Sequence, residues 1–400
     1  MTTIKDLPID VLSVISNNLE VCDVVNMKVA LNHRRFLDLP CKKTIYKSNN
    51  IRIDKRYKKY IVFTSMIKYI PEDGIEFNYE NTFRRFEGPP MHLDDLRGYY
   101  GITINETVRD IPILPEVYEV TSSKCKVDLS NWIHLKKLKF NHTTDIDVNI
   151  VSKMTNLESL TLPFNTRSIN LQNNIKLHKL SAIFSSININ EIYFLCNLEK
   201  LNLNDNTVIT YIPHFPKLKY LSCDNATNLE RIDNLPSLID LVCSNTKIVN
   251  IDNLTSLTYL DCCQTKITDL SSLINLKNLI CCYSKLTTIN NPLLIHINCS
   301  FSNKITCIDT INNLQSLNCC YSSLLNVNHL VNLTYLDCHH TKIVDVYNLI
   351  SLKTLICRFT PIQNINMLIN LEILDCDKTK ITNIYNLSKL KYLHSNIRSL

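Results

Sequence analysis

The chain has few of the residues and patterns on which many enzyme sites depend. Only four of its 400 residues are glycine, and neither G-x-x-x-x-G-K nor G-x-G-x-x-G occurs. Glycine-rich loops of that kind bind phosphate through their backbone amides, so no nucleotide-binding loop is expected. The metalloprotease pattern H-E-x-x-H and the C-x-x-C pair are also missing. The sequence therefore predicts no catalytic residues, no metal and no cofactor.

Long apolar runs are missing as well. No apolar stretch reaches the roughly eighteen residues that a membrane-spanning helix needs. Asp6, Asp10 and Glu20 interrupt the apolar segment that a signal peptide would place near the N-terminus. We therefore expect no membrane contact and an intracellular protein, cytoplasmic or nuclear, whose 17 cysteines stay reduced.

The charge is nearly balanced, with a formal net charge of +6. One local excess runs from Lys28 to Lys59, where eleven lysines and arginines face only Asp38 and Asp54. A basic cluster of this kind can bind nucleic acid. The acid-rich residues 72–128 offset it, so the segment is interpreted as a solvated linker and helix face. No nucleic-acid partner is expected.

A repeat occupies most of the chain. The pattern L-x-x-L-x-C, with close variants, recurs every 18 to 22 residues. One unit cannot bury its apolar face alone, so neighbouring units must stack into a continuous core. The units begin at Leu135, Leu157, Leu177, Leu198, Leu218, Leu238, Leu257, Leu276, Leu294, Leu314, Leu333, Leu352, Leu371 and Leu390.

Each unit changes its apolar period halfway along. In the unit that begins at Leu257, Leu260 and Cys262 are predicted to point inwards and Asp261, between them, outwards. This is the alternation of a strand. The second half instead has an apolar residue at every third position: Ile267, Leu270, Leu273 and Leu276. About nine residues are too few for a full α-helix with its connections, so this half predicts a 3₁₀ or extended turn.

This repeat resembles the leucine-rich repeat, L-x-x-L-x-L-x-x-N/C-x-L, over roughly residues 130–400. Cysteine replaces the third leucine, and threonine often stands in place of the asparagine. A threonine hydroxyl can still bond to the backbone of the turn, though less fully than an amide. The resemblance implies a solenoid over 135–400, with a parallel β-ladder on its concave face and short 3₁₀ or extended turns on its convex face. Residues 117–134 are a candidate degenerate first repeat.

Nine successive units carry cysteine at the same inward position. A single file of parallel side chains does not supply the four converging ligands of a structural zinc site, and a reducing compartment argues against disulfides. The column is therefore interpreted as small buried hydrophobic residues. Its members are Cys223, Cys243, Cys262, Cys281, Cys299, Cys319, Cys338, Cys357 and Cys376. Cys263, Cys282 and Cys320 lie one position further on and are expected to be exposed on the concave face.

The first 44 residues differ from the repeats. Asp6 can cap a helix whose first turn accepts Pro8, and an apolar stripe then follows. The segment resembles an F-box, in which such apolar helices bind Skp1 of a cullin-RING ubiquitin ligase. Phe36 stands near the place of the usual tryptophan. The resemblance implies a Skp1-binding surface of Leu7, Pro8, Val11, Leu12, Ile15, Leu19 and Val24. Residues 45–130 are interpreted as a linker and transition region.

Aromatic residues follow two outward columns of the predicted ladder. Exposed rings with few charged neighbours are typical of interface hot spots, but stacked rings could equally shield the ladder. The candidate substrate-binding residues are Tyr259, Tyr283, Phe301, Tyr321, Tyr335, Asp337, His340 and Phe359. The adjacent His339 and His340 should point to opposite sides, so a metal shared by this pair is not expected.

Together these features predict a small α-helical F-box module followed by a leucine-rich repeat solenoid. The function that follows is a non-enzymatic adaptor, monomeric within a ligase complex, which binds a Skp1-like protein at one end and an unknown protein substrate along the repeats. The alternative is a repeat scaffold that binds a protein without any role in ubiquitination. An enzyme is the third possibility, disfavoured by the lack of a recognisable site.

Overall fold

The computed structural model describes residues 60–63, 68–69, 77–78, 101–104, 119–123, 129–141, 148–308 and 311–395. The chain divides into two compact units, residues 1–180 and 181–400. The predicted F-box module, with Leu7, Pro8, Val11, Leu12, Ile15, Leu19 and Val24, lies outside the described residues. No helix within the described part is long and apolar enough to cross a membrane.

The first unit contains a parallel ladder. Its strands are β1 (Tyr60–Phe63), β2 (Lys68–Tyr69), β3 (Phe77–Asn78), β4 (Gly101–Ile104), β5 (Glu119–Ser123), β6 (Lys137–Asn141) and β7 (Ser159–Thr161), with a 3₁₀ helix at Val148–Lys153. Strands β1, β4, β5, β6 and β7 pair in parallel in that order, and β2 pairs with β3 antiparallel. Parallel pairing thus begins within the range assigned to a linker from sequence. The candidate degenerate repeat at 117–134 contains β5.

The second unit continues with short strands at the repeat spacing. After β8 (Lys179–Ser181), at the boundary between the units, come a 3₁₀ helix (Ile189–Glu191), β9 (Lys200–Asn202), β10 (Tyr211–Ile212), β11 (Tyr220–Ser222), β12 (Arg231–Ile232), β13 (Asp240–Val242), β14 (Tyr259–Asp261), β15 (Asn278–Ile280), β16 (His296–Asn298), β17 (Ser316–Asn318), β18 (Tyr335–Asp337), β19 (Thr354–Ile356), β20 (Ile373–Asp375) and β21 (Tyr392–His394).

The strands of the second unit keep one register. Strands β9, β11 and β13–β21 each pair in parallel with the next, while β10 and β12 form a separate parallel pair. The central strand residue is leucine at every rung except Ile297, so apolar side chains face one another along the whole ladder. This confirms the predicted parallel solenoid.

The other half of each repeat is built from tight turns. Leu254 N–H donates to Ile251 O at 3.0 Å, and Leu257 N–H donates to Leu254 O at 3.1 Å. Such i to i−3 bonds match the three-residue apolar spacing, because each turn returns one side chain to the core. No α-helix occurs in the described residues, as the short second half of the repeat predicts.

The cysteine column is part of the core. All nine inward cysteines are buried, and no cysteine of the described residues takes part in a disulfide bond. Burial raises the pKa of these thiols, for example that of Cys299 to about 12. Neutral buried thiols act as small apolar side chains, which agrees with the sequence interpretation.

The reactivity of these thiols provides a test. We expect Cys196, which is exposed, to be alkylated under native conditions at least about 100-fold faster than any column thiol. A buried thiol reacts only when the protein opens locally, and an opening free energy of about 3 kcal/mol slows the reaction by that factor. Timed alkylation followed by peptide mass spectrometry measures the rates. Modification of Cys299 as fast as Cys196 would show that the column is not core.

The threonines of the repeat close the turn after each strand. Their Oγ1 atoms donate to the carbonyl oxygen of the inward cysteine three residues earlier, at 2.6 to 2.8 Å, in Thr246, Thr265, Thr341, Thr360 and Thr379. Asn206, at the same position of an earlier repeat, uses its amide more fully: it donates to Ile187 O and accepts from two backbone N–H groups. Both observations confirm that threonine bonds to the backbone of the turn, though less fully than asparagine.

Replacing Thr341 with valine should lower the free energy of unfolding by about 1 kcal/mol. The substitution keeps the shape of the side chain but removes a buried donor whose acceptor, Cys338 O, lies 2.6 Å away. Urea denaturation measures the change, with Thr341→Ser as the matched variant that retains the hydroxyl. A loss for Thr341→Ser with none for Thr341→Val would mean that the methyl group, and not the hydrogen bond, stabilises the turn.

Candidate functional site

One backbone position of every turn lies in the left-handed region. It is the second residue after each inward cysteine, with φ between 54° and 58° from Asn225 to Lys378. Its N–H donates to a carbonyl of the next turn, for example Phe301 N to Cys320 O at 2.8 Å. This bond extends the ladder beyond the strand and fixes the backbone there. Glycine and asparagine suit such a position best, and asparagine occupies it at residues 225 and 245.

Five successive turns place a ring at this position instead. We call Tyr283, Phe301, Tyr321, His340 and Phe359 the aromatic column. Neighbouring rings stack, with centroids 4.8, 4.7, 4.3 and 4.4 Å apart and interplanar angles between 8° and 27°. Because the backbone register repeats, each ring lies directly beside the next.

The aromatic column is exposed although its rings stack. Tyr283 is 52% and Phe359 49% exposed, and Phe301 and Tyr321 are each at least 40% exposed. Stacking therefore covers the ring faces inside the column and leaves the outer edges open to solvent. The stacking agrees with the interpretation of the rings as a shield, and the exposed edges leave their role as a contact surface a prediction.

The aromatic column contributes little net stability to the fold. A bulky residue in the left-handed region costs on the order of 1 kcal/mol, and stacking returns about the same amount for each pair. Asparagines at this position avoid most of that strain, and Asn245 Nδ2 even bonds to Asn225 Oδ1 at 2.9 Å. Strained backbone and exposed apolar surface, repeated over five turns, favour a binding role.

The remaining candidate residues do not join the column. Tyr259 on β14 and Tyr335 on β18 are half-buried and are separated by three strands. Burial, followed by the nearby carboxylates, raises the pKa of both phenols. Within the column, desolvation and the neighbouring His339 and Arg358 lower the pKa of the His340 imidazole, which favours a neutral stacked ring.

Asp337, one of the candidate substrate-binding residues, is buried. It is 7% exposed, and its Oδ1 accepts from the backbone N–H of His339 at 3.3 Å and lies 2.5 Å from His339 Nδ1. The physical reason is the end of the strand at Asp337. Beyond it the chain turns, and His339 folds over the carboxylate and covers it.

The three cysteines expected to be exposed are also more buried than predicted. Cys320 is buried, while Cys263 and Cys282 are half-buried. Their thiols take part in a hydrogen-bonded row along the ladder: Cys282 N–H donates to Cys263 Sγ at 3.1 Å, and Ser300 Oγ donates to Cys282 Sγ at 3.1 Å. Hydrogen bonding from Cys263 and Ser300 lowers the pKa of Cys282 to about 6, although partial burial opposes this.

One group in the described residues has the composition of a metal site. The donor atoms of Cys320, Asp337 and His339 all lie within 4.8 Å of one another. The sequence analysis missed this group because it considered His339 only together with the adjacent His340, and not with Asp337. The usable signal was the i, i+2 spacing of Asp337 and His339, together with a cysteine one turn earlier.

Comparison with known proteins identifies the fold. No protein-family model matches the chain, and no curated protein matches it. A leucine-rich repeat protein of Leptospira interrogans is 19% identical, with a TM-score of 0.51 over 71% of this chain and 79% of that one. TLR13 in its complex with ssRNA13 is 17% identical, with a TM-score of 0.51 over 92% of this chain and 58% of that one. An internalin of Listeria monocytogenes is 20% identical, with a TM-score of 0.46 over 77% and 89%. The repeats of this chain thus have the leucine-rich repeat fold.

Proposed function

We propose that this leucine-rich repeat chain is a non-enzymatic scaffold that binds another protein through the aromatic column. The observation that carries the proposal is the run of five stacked, exposed rings at left-handed positions, where asparagine would suit the fold better. Rigid aromatic side chains bury a large area at low entropic cost, which is why they dominate the energetics of protein interfaces.

The expected partner presents an apolar or aromatic segment. The exposed part of the column consists of ring edges, and desolvation lowers the pKa of the His340 imidazole, which favours its neutral form. Such a surface lacks the charges needed to bind a partner mainly through ion pairs. An apolar segment laid along the column would remove the ring edges of several turns from water at once.

Quantitative affinity capture tests the scaffold proposal. The full-length chain is compared with Phe301→Ser/Tyr321→Ser and with Tyr385→Ser, which removes a ring that is 72% exposed outside the column. We expect specific partners to be retained by the wild type and by Tyr385→Ser and to be lost with the double variant. Equal capture by all three proteins would refute the column as the binding surface.

The finer proposal is that the chain is a substrate-recognition adaptor of a Skp1-cullin-F-box ubiquitin ligase. It is supported by the F-box resemblance of residues 1–44, followed by leucine-rich repeats. In this proposal the N-terminal module binds a Skp1-like protein and the aromatic column holds the protein to be ubiquitinated. An intracellular location, cytoplasmic or nuclear, belongs to the same proposal and agrees with the free buried thiols.

Direct binding of purified Skp1 tests the adaptor proposal. Wild-type protein should bind, and a Leu12→Asp/Ile15→Asp variant should not, because each substitution places an unpaired charge in an apolar interface. Circular dichroism provides the folding control. If wild-type protein fails to bind Skp1, the adaptor proposal is wrong and the scaffold without a ubiquitin role takes its place.

A further inference from the structure

The group Cys320, Asp337 and His339 is assembled by the register of the ladder. Asn318 of β17 pairs with Asp337 of β18, so Cys320 and His339, each two residues further on, are equivalent positions of adjacent turns. Asp337 and His339 are two residues apart and share one side. Three side chains with different donor atoms therefore converge from two neighbouring turns.

The distances in the group suit a small metal ion. All three donor atoms lie within 4.8 Å of one another, and the closest pair, His339 Nδ1 and Asp337 Oδ1, is 2.5 Å apart. Donors around a tetrahedral zinc ion are about 3.3–3.8 Å apart, as the usual zinc–ligand bond lengths of about 2.0–2.3 Å require. Changes of about 1 Å in the donor–donor distances would give that spacing.

The burial of Asp337 also favours a cation. It is the one carboxylate classed as buried in the described part of the chain, and its only ion pair there is with His339. A buried carboxylate is expensive unless a positive charge compensates it. A divalent ion would compensate the carboxylate permanently.

Neighbouring residues hold the group in place. The ring of Tyr321 meets His339 edge-on at 5.3 Å and limits the rotation of the imidazole. The backbone N–H of His339 donates to Asp337 Oδ1 at 3.3 Å and orients the carboxylate. Supporting contacts of this kind orient metal ligands.

We propose that Cys320, Asp337 and His339 bind one zinc ion through one sulfur, one nitrogen and one oxygen atom. The combination of thiolate, imidazole and carboxylate matches the ligands that zinc accepts. Three protein ligands leave a fourth position for water or for a donor from a partner. His339 is the most exposed of the three, with 18% of its side chain accessible, so the fourth position opens on its side.

The proposed ion lies next to the aromatic column along the chain. Tyr321 follows Cys320, and His340 follows His339, so two ligands are directly attached to neighbouring rings of the stack. A bound ion would cross-link two adjacent turns beside the middle of the column. The metal proposal does not depend on the proposed binding function.

Cobalt(II) titration of the full-length, metal-stripped chain tests the proposal. We expect one equivalent to bind, with the intense visible bands of four-coordinate cobalt and a thiolate-to-cobalt charge-transfer band, and zinc to displace it. Cys320→Ser and His339→Asn should each lower the affinity at least about 100-fold, because losing a ligand costs more than losing its hydrogen-bond partner. Zinc should also raise the thermal midpoint of the wild type but not of these variants.

Control variants are needed because the chain contains 17 cysteines. His340→Asn removes the adjacent exposed imidazole, and Cys282→Ser removes a half-buried thiol two turns away. Both should keep the cobalt spectrum and the affinity. Circular dichroism checks that each variant is folded. If Cys320→Ser does not fold, the comparison of the wild type with His339→Asn decides the test. The absence of a thiolate band at ten equivalents of cobalt, or a spectrum unchanged in His339→Asn, would overturn the proposal.

Discussion

Replacing Leu317 with alanine should lower the free energy of unfolding by about 2–5 kcal/mol. Leu317 is fully buried at the centre of β17, in register with Ile297 and Leu336 on the neighbouring strands. The shortened side chain leaves a cavity that both neighbours border, and the regular ladder cannot close it without breaking the register. Stability in a solenoid depends on such contacts between neighbouring repeats, so the loss weakens two of them.

Urea denaturation of the wild type and Leu317→Ala measures this effect. The matched control is Leu325→Ala, because Leu325 is 58% exposed in the same repeat and should change stability by less than about 0.5 kcal/mol. Similar losses for the two variants would contradict a core built from the central strand leucines.

Replacing both Phe301 and Tyr321 with asparagine should weaken binding of the partner protein at least about 100-fold. Interface rings that act as hot spots contribute about 2 kcal/mol or more each, which corresponds to roughly 30-fold in affinity, and the two effects need not be additive. The same substitutions should change the free energy of unfolding by less than about 1 kcal/mol, since relief of left-handed strain offsets the lost stacking. Asn225 and Asn245 already occupy this backbone position in the same unit.

Isothermal titration of the captured partner against wild type and double variant gives the affinity, and urea denaturation gives the stability. Tyr385→Ser, outside the column, controls for the general loss of an exposed ring. An unchanged dissociation constant for the double variant would remove the column from the interface. A large loss of stability would instead show that the stack supports the fold.

The sequence contains enough information to predict the ladder, the turns and the cysteine column. Strict spacing determines which residues repeat, and alternation determines which of them face inwards, as Leu260 and Cys262 show. The threonine hydrogen bonds could be predicted for the same reason. Each of these features depends on local periodicity alone, which one repeat already displays.

The details just beyond each strand could not be predicted in the same way. Alternation stops where the strand ends, so the expected exposure of Cys320 was wrong. The left-handed position is not visible in the composition either, because asparagine, glutamine, tyrosine and lysine all occupy it. Its conformation results from hydrogen bonds to the next turn, which only the stacked structure provides.

Site-specific photo-crosslinking shows directly whether the aromatic column contacts a partner protein. A photoreactive benzoyl-phenylalanine replaces Phe301 in one full-length protein and Tyr385 in another, and both are irradiated in cells. If the aromatic column is the partner-binding surface, position 301 yields a discrete adduct of higher mass and position 385 yields none. Adducts of the same partner from both positions, or from position 385 alone, would show that the aromatic column is not the specific partner-binding surface.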